Sequence, residues 1–241
     1  MGTLFQKVGH NQTLSQRVEK RIEDVIRQKK ILPGEKLPTE KELCEMFAVS
    51  RTALREALRM LSGRGLITIR KGSGIYVNDY SADNAIKPMS LFLELNLDKT
   101  LIFHVIHVRQ MLEPKLVRLA AVNRTADDMR AFKQNLIKFT ECREDDYHRE
   151  GELDREFHLL IAKASGNPIV MVMVEPIFQL MPKIRTLVYA HVDHAKNDAV
   201  DYHRKIIEAI EQGDENSAET AMIEHLNLAE EHSQKVLQAI E

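Results

Sequence analysis

The chain has only two cysteines, Cys44 and Cys142, and they lie far apart in the sequence. Cys44 falls in a short amphipathic helix and Cys142 in an acidic stretch, so a disulfide is not expected and a reducing cytoplasm is. No apolar run reaches the length that crosses a bilayer, and no secretion signal is read, so the expectation is a cytoplasmic protein with no membrane partner. Signatures of catalysis are missing too: no HExxH pattern, no nucleophile elbow and no phosphate loop. There is no internal repeat and no low-complexity segment. Net charge is small, −2 over 241 residues, but it hides an asymmetry. Residues 1–85 hold 15 Lys and Arg against 10 Asp and Glu, whereas residues 86–241 hold 19 against 26. A basic first third on an acidic remainder suits a DNA-binding head on a body that does not itself bind DNA.

Residues 37–77 are the most informative stretch. Thr39 and Glu42 have the spacing of a capping box, which starts a short helix with Leu43, Phe47 and Ala48 on its buried side. Val49 and Ser50 make a turn, and Ser50 is a natural N-cap for a second helix. In that helix Leu54, Ala57, Leu58 and Leu61 share one face by the 3.6-residue period. Arg51, Arg55 and Arg59 recur every four residues and form a ridge away from that face, with Thr52 beside them. Such a ridge suits entry into the major groove, where arginine pairs with guanine edges or clamps phosphates. Two β-branched runs joined by Lys71-Gly72-Ser73-Gly74 read as a hairpin wing. An ordinary helical hairpin with a solvated arginine face is the bland alternative, and the wing immediately downstream weighs against it.

The segments LPTEKEL, VSRTALREALRML and GLITIRKGSGIYV resemble the three parts of the winged-helix signature of the GntR family of bacterial transcription regulators. The resemblance implies DNA contact from Lys41, Ser50, Arg51, Thr52 and Arg55, with Lys71 and Gly72 at the wing. Where this chain has Lys41 the family usually has arginine. Lysine keeps the charge and loses the bidentate geometry, which favours a phosphate contact over a base contact.

Upstream, Thr13 and Gln16 open a helix that should run to about Lys30, with Val18, Ile22, Val25 and Ile26 as its apolar side and Leu32-Pro33-Gly34 as its stop. Residues 78–90 read as a polar linker. From about Leu91 onward no strand pattern is found, only helical periods with breaks at 98–100, 123–125, 166–168, 191–197 and 213–214. The expected fold is mainly α: a winged helix-turn-helix over residues 1–80, a linker and connecting helix over 81–98, and an all-helical bundle of about six or seven helices over 99–241.

Within that bundle four residues read as a metal site. Asp154 and His158 are i and i+4, so they point the same way beside Leu153, Phe157 and Ile161. His203 sits in the apolar face formed by Ala199, Ile206, Ile207 and Ile210, and His225 in that of Ala218, Ala221, Met222 and Ala229. A bundle turns such faces inward, and burying these groups without a partner is costly. A divalent zinc, nickel, iron or manganese ion would satisfy all four. A lone buried histidine is more often a hydrogen-bonded core residue; three inward positions on separate helices shift the balance. His232 lies on the His225 face but about 10 Å along the axis, too far to share an ion. His191 and His194 fall in a loop and His148 on the far side of its helix, so all are left out.

The segments LDREFHLLIA, YHRKIIEAI and AMIEHL are similar to the ligand-binding domain of the FadR-like branch of the same family, with its FCD-type domain. That branch commonly holds a metal through one Asp and three His, which implies Asp154, His158, His203 and His225 here, and typically binds a small carboxylic acid. Arg109 is an independent hint: it and Glu113 fall on the apolar side of their helix with Ile102, Ile106, Leu116 and Ala120. Arg109 is read either as Glu113's ion-pair partner or as a clamp for an effector carboxylate. Asn167, after a glycine at a helix break, is a weaker candidate for the pocket, and a turn role is the favoured reading.

The expected protein is therefore a homodimeric, metabolite-responsive, non-enzymatic transcription regulator, read as a repressor, on a pseudo-palindromic double-stranded operator. The rival from another class is a metal-dependent hydrolase fused to a DNA-binding head.

Overall fold

The computed structural model describes residues 12–79, 82–143 and 145–239, and the chain divides into two compact units between Asn84 and Ala85. The first unit opens with α1 (Leu14–Arg27), whose Thr13–Gln16 capping box satisfies the first free amides of the helix. The helix stops three residues before the expected Lys30. The chain turns out at Lys29, which has φ 53°, so the break comes before the Pro-Gly signal. Then follow α2 (Glu40–Phe47) and α3 (Arg51–Gly63), capped by Thr39 and Ser50 as the sequence predicts. Ala48 is not on the buried side of α2. It is exposed and forms the left-handed C-cap at φ 52°, which makes the tight turn into α3.

Val18, Ile22 and Ile26 of α1 pack with Leu54, Leu58 and Leu61 of α3. Arg64 braces the same two helices through Glu19 (2.9 Å) and Glu23 (2.8 Å). The wing is β1 (Ile67–Arg70) and β2 (Gly74–Val77), antiparallel, with Ile67 opposite Val77 and Arg70 opposite Gly74. Ile67, Ile75 and Val77 turn into the core of this unit. One pairing was not legible in the sequence. The segment before α2 lies along the other edge of β2: Leu37 N donates to Ile75 O at 2.8 Å and Val77 N to Glu35 O at 3.0 Å.

The second unit is all helical among the described residues. Its helices are α4 (Asp83–Leu95), α5 (Lys99–Asn123), α6 (Ala126–Thr140), α7 (Tyr147–Ala164), α8 (Pro168–Phe178), α9 (Met181–His191), α10 (Ala195–Gln212) and α11 (Glu215–Ala239). Residues 83–90 are thus helical, not linker. Ile86 is buried and Leu93, seven residues on, packs on the main core, a helical period that outweighs the polar composition and Pro88. Side-chain caps from Asp98, Thr125 and Asp146 start α5, α6 and α7. Asn167 caps α8, accepting from Ile169 N at 3.0 Å, which is the turn role.

Two breaks fall where the sequence predicts none, between α6 and α7 and at 179–180. The first has neither Gly nor Pro and is marked only by its Asp146 cap. The second precedes Pro182, which falls in the first turn of α9, where its missing N–H costs no intrahelical hydrogen bond. α7 packs most extensively on α9, and α5 on α11, so the inward faces of α5, α7, α9, α10 and α11 meet in one core.

Candidate DNA interface and candidate metal centre

In the first unit, Lys41, Ser50, Arg51, Thr52, Arg55, Lys71 and Gly72 are all exposed. Leu54, Ala57, Leu58 and Leu61 are buried on the other face of α3, so the helix is fixed by its apolar side and its arginine ridge is left to solvent. The Ser50 hydroxyl accepts from Ala53 N at 3.3 Å, which makes it a cap first. Arg55 is not fully free: its Nε donates to Glu40 Oε2 at 2.9 Å, an exposed pair worth little. At the wing tip Gly72 has φ 75°, a backbone state that a side chain disfavours. Sequence reasoning missed two further cations here. Arg70 lies over the Tyr76 ring at 4.8 Å and Lys36 at 5.9 Å, both brought there by the pairing along β2.

In the second unit the structure brings Asp154, His158, His203 and His225 together, one ligand atom from each lying within 4.8 Å of the others, all buried. Their positions follow from the helix periods: α7 supplies Asp154 and His158, α10 His203, and α11 His225. His203 Nε2 is 3.6 Å from Asp154 Oδ1, His158 Nε2 is 4.0 Å from it, and the Nε2 atoms of His158 and His225 are 3.4 Å apart. Donors about 2.0–2.1 Å from a tetrahedral zinc stand roughly 3.4 Å apart, so the spacing fits an ion. His203 is fully buried, and neither of its ring nitrogens has a hydrogen-bond partner. Phe157 stacks on its ring at 3.6 Å between centroids and holds the plane in place. His232 stands outside this group.

Around the four ligands lies a shell that the sequence revealed only in part. Arg109 is buried and donates through Nε to Glu113 Oε1 at 2.5 Å, so the i, i+4 ion pair is present. It does more than that pair: its NH2 group reaches His158 Nε2 at 2.9 Å and its NH1 group reaches Met181 Sδ at 3.3 Å. A guanidinium only donates, so His158 Nε2 is the acceptor and Nδ1 carries the proton. That N–H donates to Glu113, whose carboxylate Oε2 contacts Nδ1. Glu113 therefore fixes the tautomer that leaves the Nε2 lone pair facing the cluster, a role that reading it as an ion-pair partner did not foresee.

Asp154 has two further partners, Arg185 Nε at 3.1 Å and the Tyr189 hydroxyl at 3.1 Å. Burial works against its charge, but the Arg185 guanidinium beside it, with Arg109 further off, outweighs burial and holds the carboxyl well below the usual carboxylate range. Burial pushes His203 and His225 well below the usual imidazole value, so both rings are neutral at pH 7, the form that ligates metal. Arg185 carried the same signal that exposed Arg109: a lone cation in an apolar stripe, here Met181, Ile184, Val188 and Tyr189.

A winged helix-turn-helix with an exposed basic ridge, followed by an all-helical body, defines a DNA-binding transcription regulator. Residues 14–77 match the family model for bacterial regulatory proteins of the gntR family, and residues 104–228 match that of the FCD domain. The chain belongs to the gntR family and carries an FCD domain. The Uxu operon regulator of Haemophilus influenzae is 33% identical over 201 residues, 80% of this chain and 71% of that protein. The transcriptional repressor NanR of Salmonella newport is 33% identical over 216 residues, 89% and 83% of the two chains. A solved GntR structure from Streptococcus agalactiae aligns with a TM-score of 0.65 at 27% identity, covering 90% of this chain and 99% of that one. This is a family of regulators and not of enzymes, so the hydrolase alternative is set aside. No helix among the described residues is long and apolar enough to cross a membrane.

Proposed function

We propose that this regulator is a cytoplasmic homodimeric repressor whose FCD domain holds one divalent transition-metal ion on Asp154, His158, His203 and His225, and that a small carboxylate effector binds against that ion and Arg109. The observation that carries the metal is His203: a fully buried imidazole with two unpartnered nitrogens, 3.6 Å from a buried carboxylate. Left empty, such a group costs on the order of 1–3 kcal/mol, so a ligand-accepting role explains its burial better than packing does. The mixed nitrogen and oxygen donor set suits zinc, nickel, iron or manganese. The ion would act as a Lewis acid toward an anion.

Charge arithmetic points to an anionic effector. Arg109 and Arg185 are matched by Glu113 and Asp154, all four buried, and burial keeps His203 and His225 neutral. A dication added to this balanced set is uncompensated, and an anion restores neutrality. Arg109 is suited to share that anion. Its NH1 donates only to a thioether, a weak acceptor, and its NH2 rests on the lone pair that a metal would claim. Because the four ligand residues are buried, an effector enters only when the helices that bear them move. That supplies the two arrangements between which differential affinity can act. Arg109→Ala is expected to keep metal and DNA binding and to lose its response to the effector. A variant that responds at the same effector concentration as wild type would leave Arg109 as the Glu113 partner alone.

On the DNA side, Arg51 at the start of α3 is the strongest candidate base reader, with Thr52 and Arg55 beside it and Lys41, Ser50, Lys71 and Gly72 on phosphates and the wing side. One relative is named an operon regulator and another a repressor, which supports the reading as a repressor. Arg51→Ala should weaken specific binding by about 1–3 kcal/mol, whereas Lys71→Ala should weaken binding to all sequences alike and lower the salt slope by about 1. Fluorescence anisotropy with an operator selected from a random pool would read both. Wild-type affinity in Arg51→Ala would remove α3 as the recognition helix.

A further inference from the structure

A second group of metal-ligating side chains lies outside the cluster above. His194 stands at the N-cap of α10, Asp198 follows one turn later, and His232 comes from α11, which packs on α10. Each offers a ligand atom within 4.8 Å of the other two. Asp198 Oδ2 is 3.5 Å from His232 Nε2 and 3.8 Å from His194 Nε2, close to the roughly 3.4 Å edge of a tetrahedral zinc site. The two rings meet edge to face at 5.3 Å.

A helix-surface pair alone would account for His194 and Asp198, which are i and i+4. It does not account for His232. That residue is 2% exposed, and its buried Nε2 has no hydrogen-bond partner although it faces Asp198 from a different helix. Asp198 is about one-third exposed and His194 about two-thirds, so the group opens to solvent on one side.

We propose that His194, Asp198 and His232 form a second site for a transition-metal ion of the zinc or nickel class, weaker than the buried centre and in exchange with solvent. Two imidazoles and one carboxylate are a borderline donor set, and three protein ligands leave a position for water. An ion there ties the C-terminal half of α11 to the first turn of α10, the helix that carries His203. It is weaker than the buried centre because it has one ligand fewer and an exposed His194. The site is made of residues distinct from those of the buried centre, so either can fail without the other.

The test is calorimetric titration of the untagged, metal-stripped full-length protein with zinc, repeated with nickel. Wild type should take up one equivalent tightly and a second more weakly. His194→Ala removes an exposed side chain and should leave the fold intact. It should lose the weak equivalent, or weaken it by more than the roughly 10–100-fold that loss of a mere supporting partner costs, and keep the tight one. Asp198→Asn should do the same. His203→Ala should do the reverse, losing the tight equivalent and keeping the weak one. A single equivalent in wild type, or a weak equivalent unchanged in both His194→Ala and Asp198→Asn, would overturn the proposal.

Discussion

Purified His203→Ala protein should carry almost no transition metal after passage through metal-free buffer, where wild type should carry close to one ion per chain by elemental analysis. His203 is the ligand whose loss is cleanest to interpret, because neither ring nitrogen has another task. The wild-type protein should gain about 2.7 kcal/mol of stability with metal at a hundred times its dissociation constant, and the variant should gain none from the tight site. His225→Ala should behave likewise. His232→Ala, which alters a residue outside the buried group, should retain the tight ion. Full metal content in the His203 variant would mean that its burial beside Asp154 is packing on Phe157 and no more.

The second large effect is on stability. Among the described residues Arg185 is the only guanidinium that bonds Asp154 directly, and both are buried. Arg185→Met fills the space but leaves the carboxylate with the Tyr189 hydroxyl as its one direct donor. Breaking such a pair from one side costs about 3–5 kcal/mol, because the remaining charge is uncompensated. The loss should be largest in metal-stripped protein and smaller once metal is loaded, since the ion supplies the missing positive charge. Urea unfolding of both forms reads this directly. Equal losses in the two forms would mean that no ion approaches Asp154.

The sequence disclosed most where local chemistry and periodicity agree. Caps at Thr13, Thr39, Ser50 and Thr125 and the apolar stripe of α3 follow from rules that act over a few residues, and they fixed the head and its basic ridge. Asp154, His158, His203 and His225 were legible for a related reason: a polar residue inside an apolar stripe is costly wherever the fold turns that stripe inward. What was lost depends on contacts between elements. Pairing of residues 35–37 with β2 joins segments almost forty positions apart, and no local pattern marks it. Glu113 was visible as an inward residue, but its place on His158 Nδ1 depends on the packing of α5 against α7. In residues 83–90 the polar composition and Pro88 mask the helical period that joins Ile86 to Leu93.

The most direct test of the account is operator affinity of the full-length protein, metal-loaded and metal-stripped, across a panel of small carboxylates. The prediction is that at least one carboxylate shifts the affinity of the metal-loaded protein by roughly 5–150-fold, the usual span of an allosteric coupling, and leaves the stripped protein unmoved. A panel without effect on the loaded protein, or a shift of equal size in the stripped protein, would contradict it.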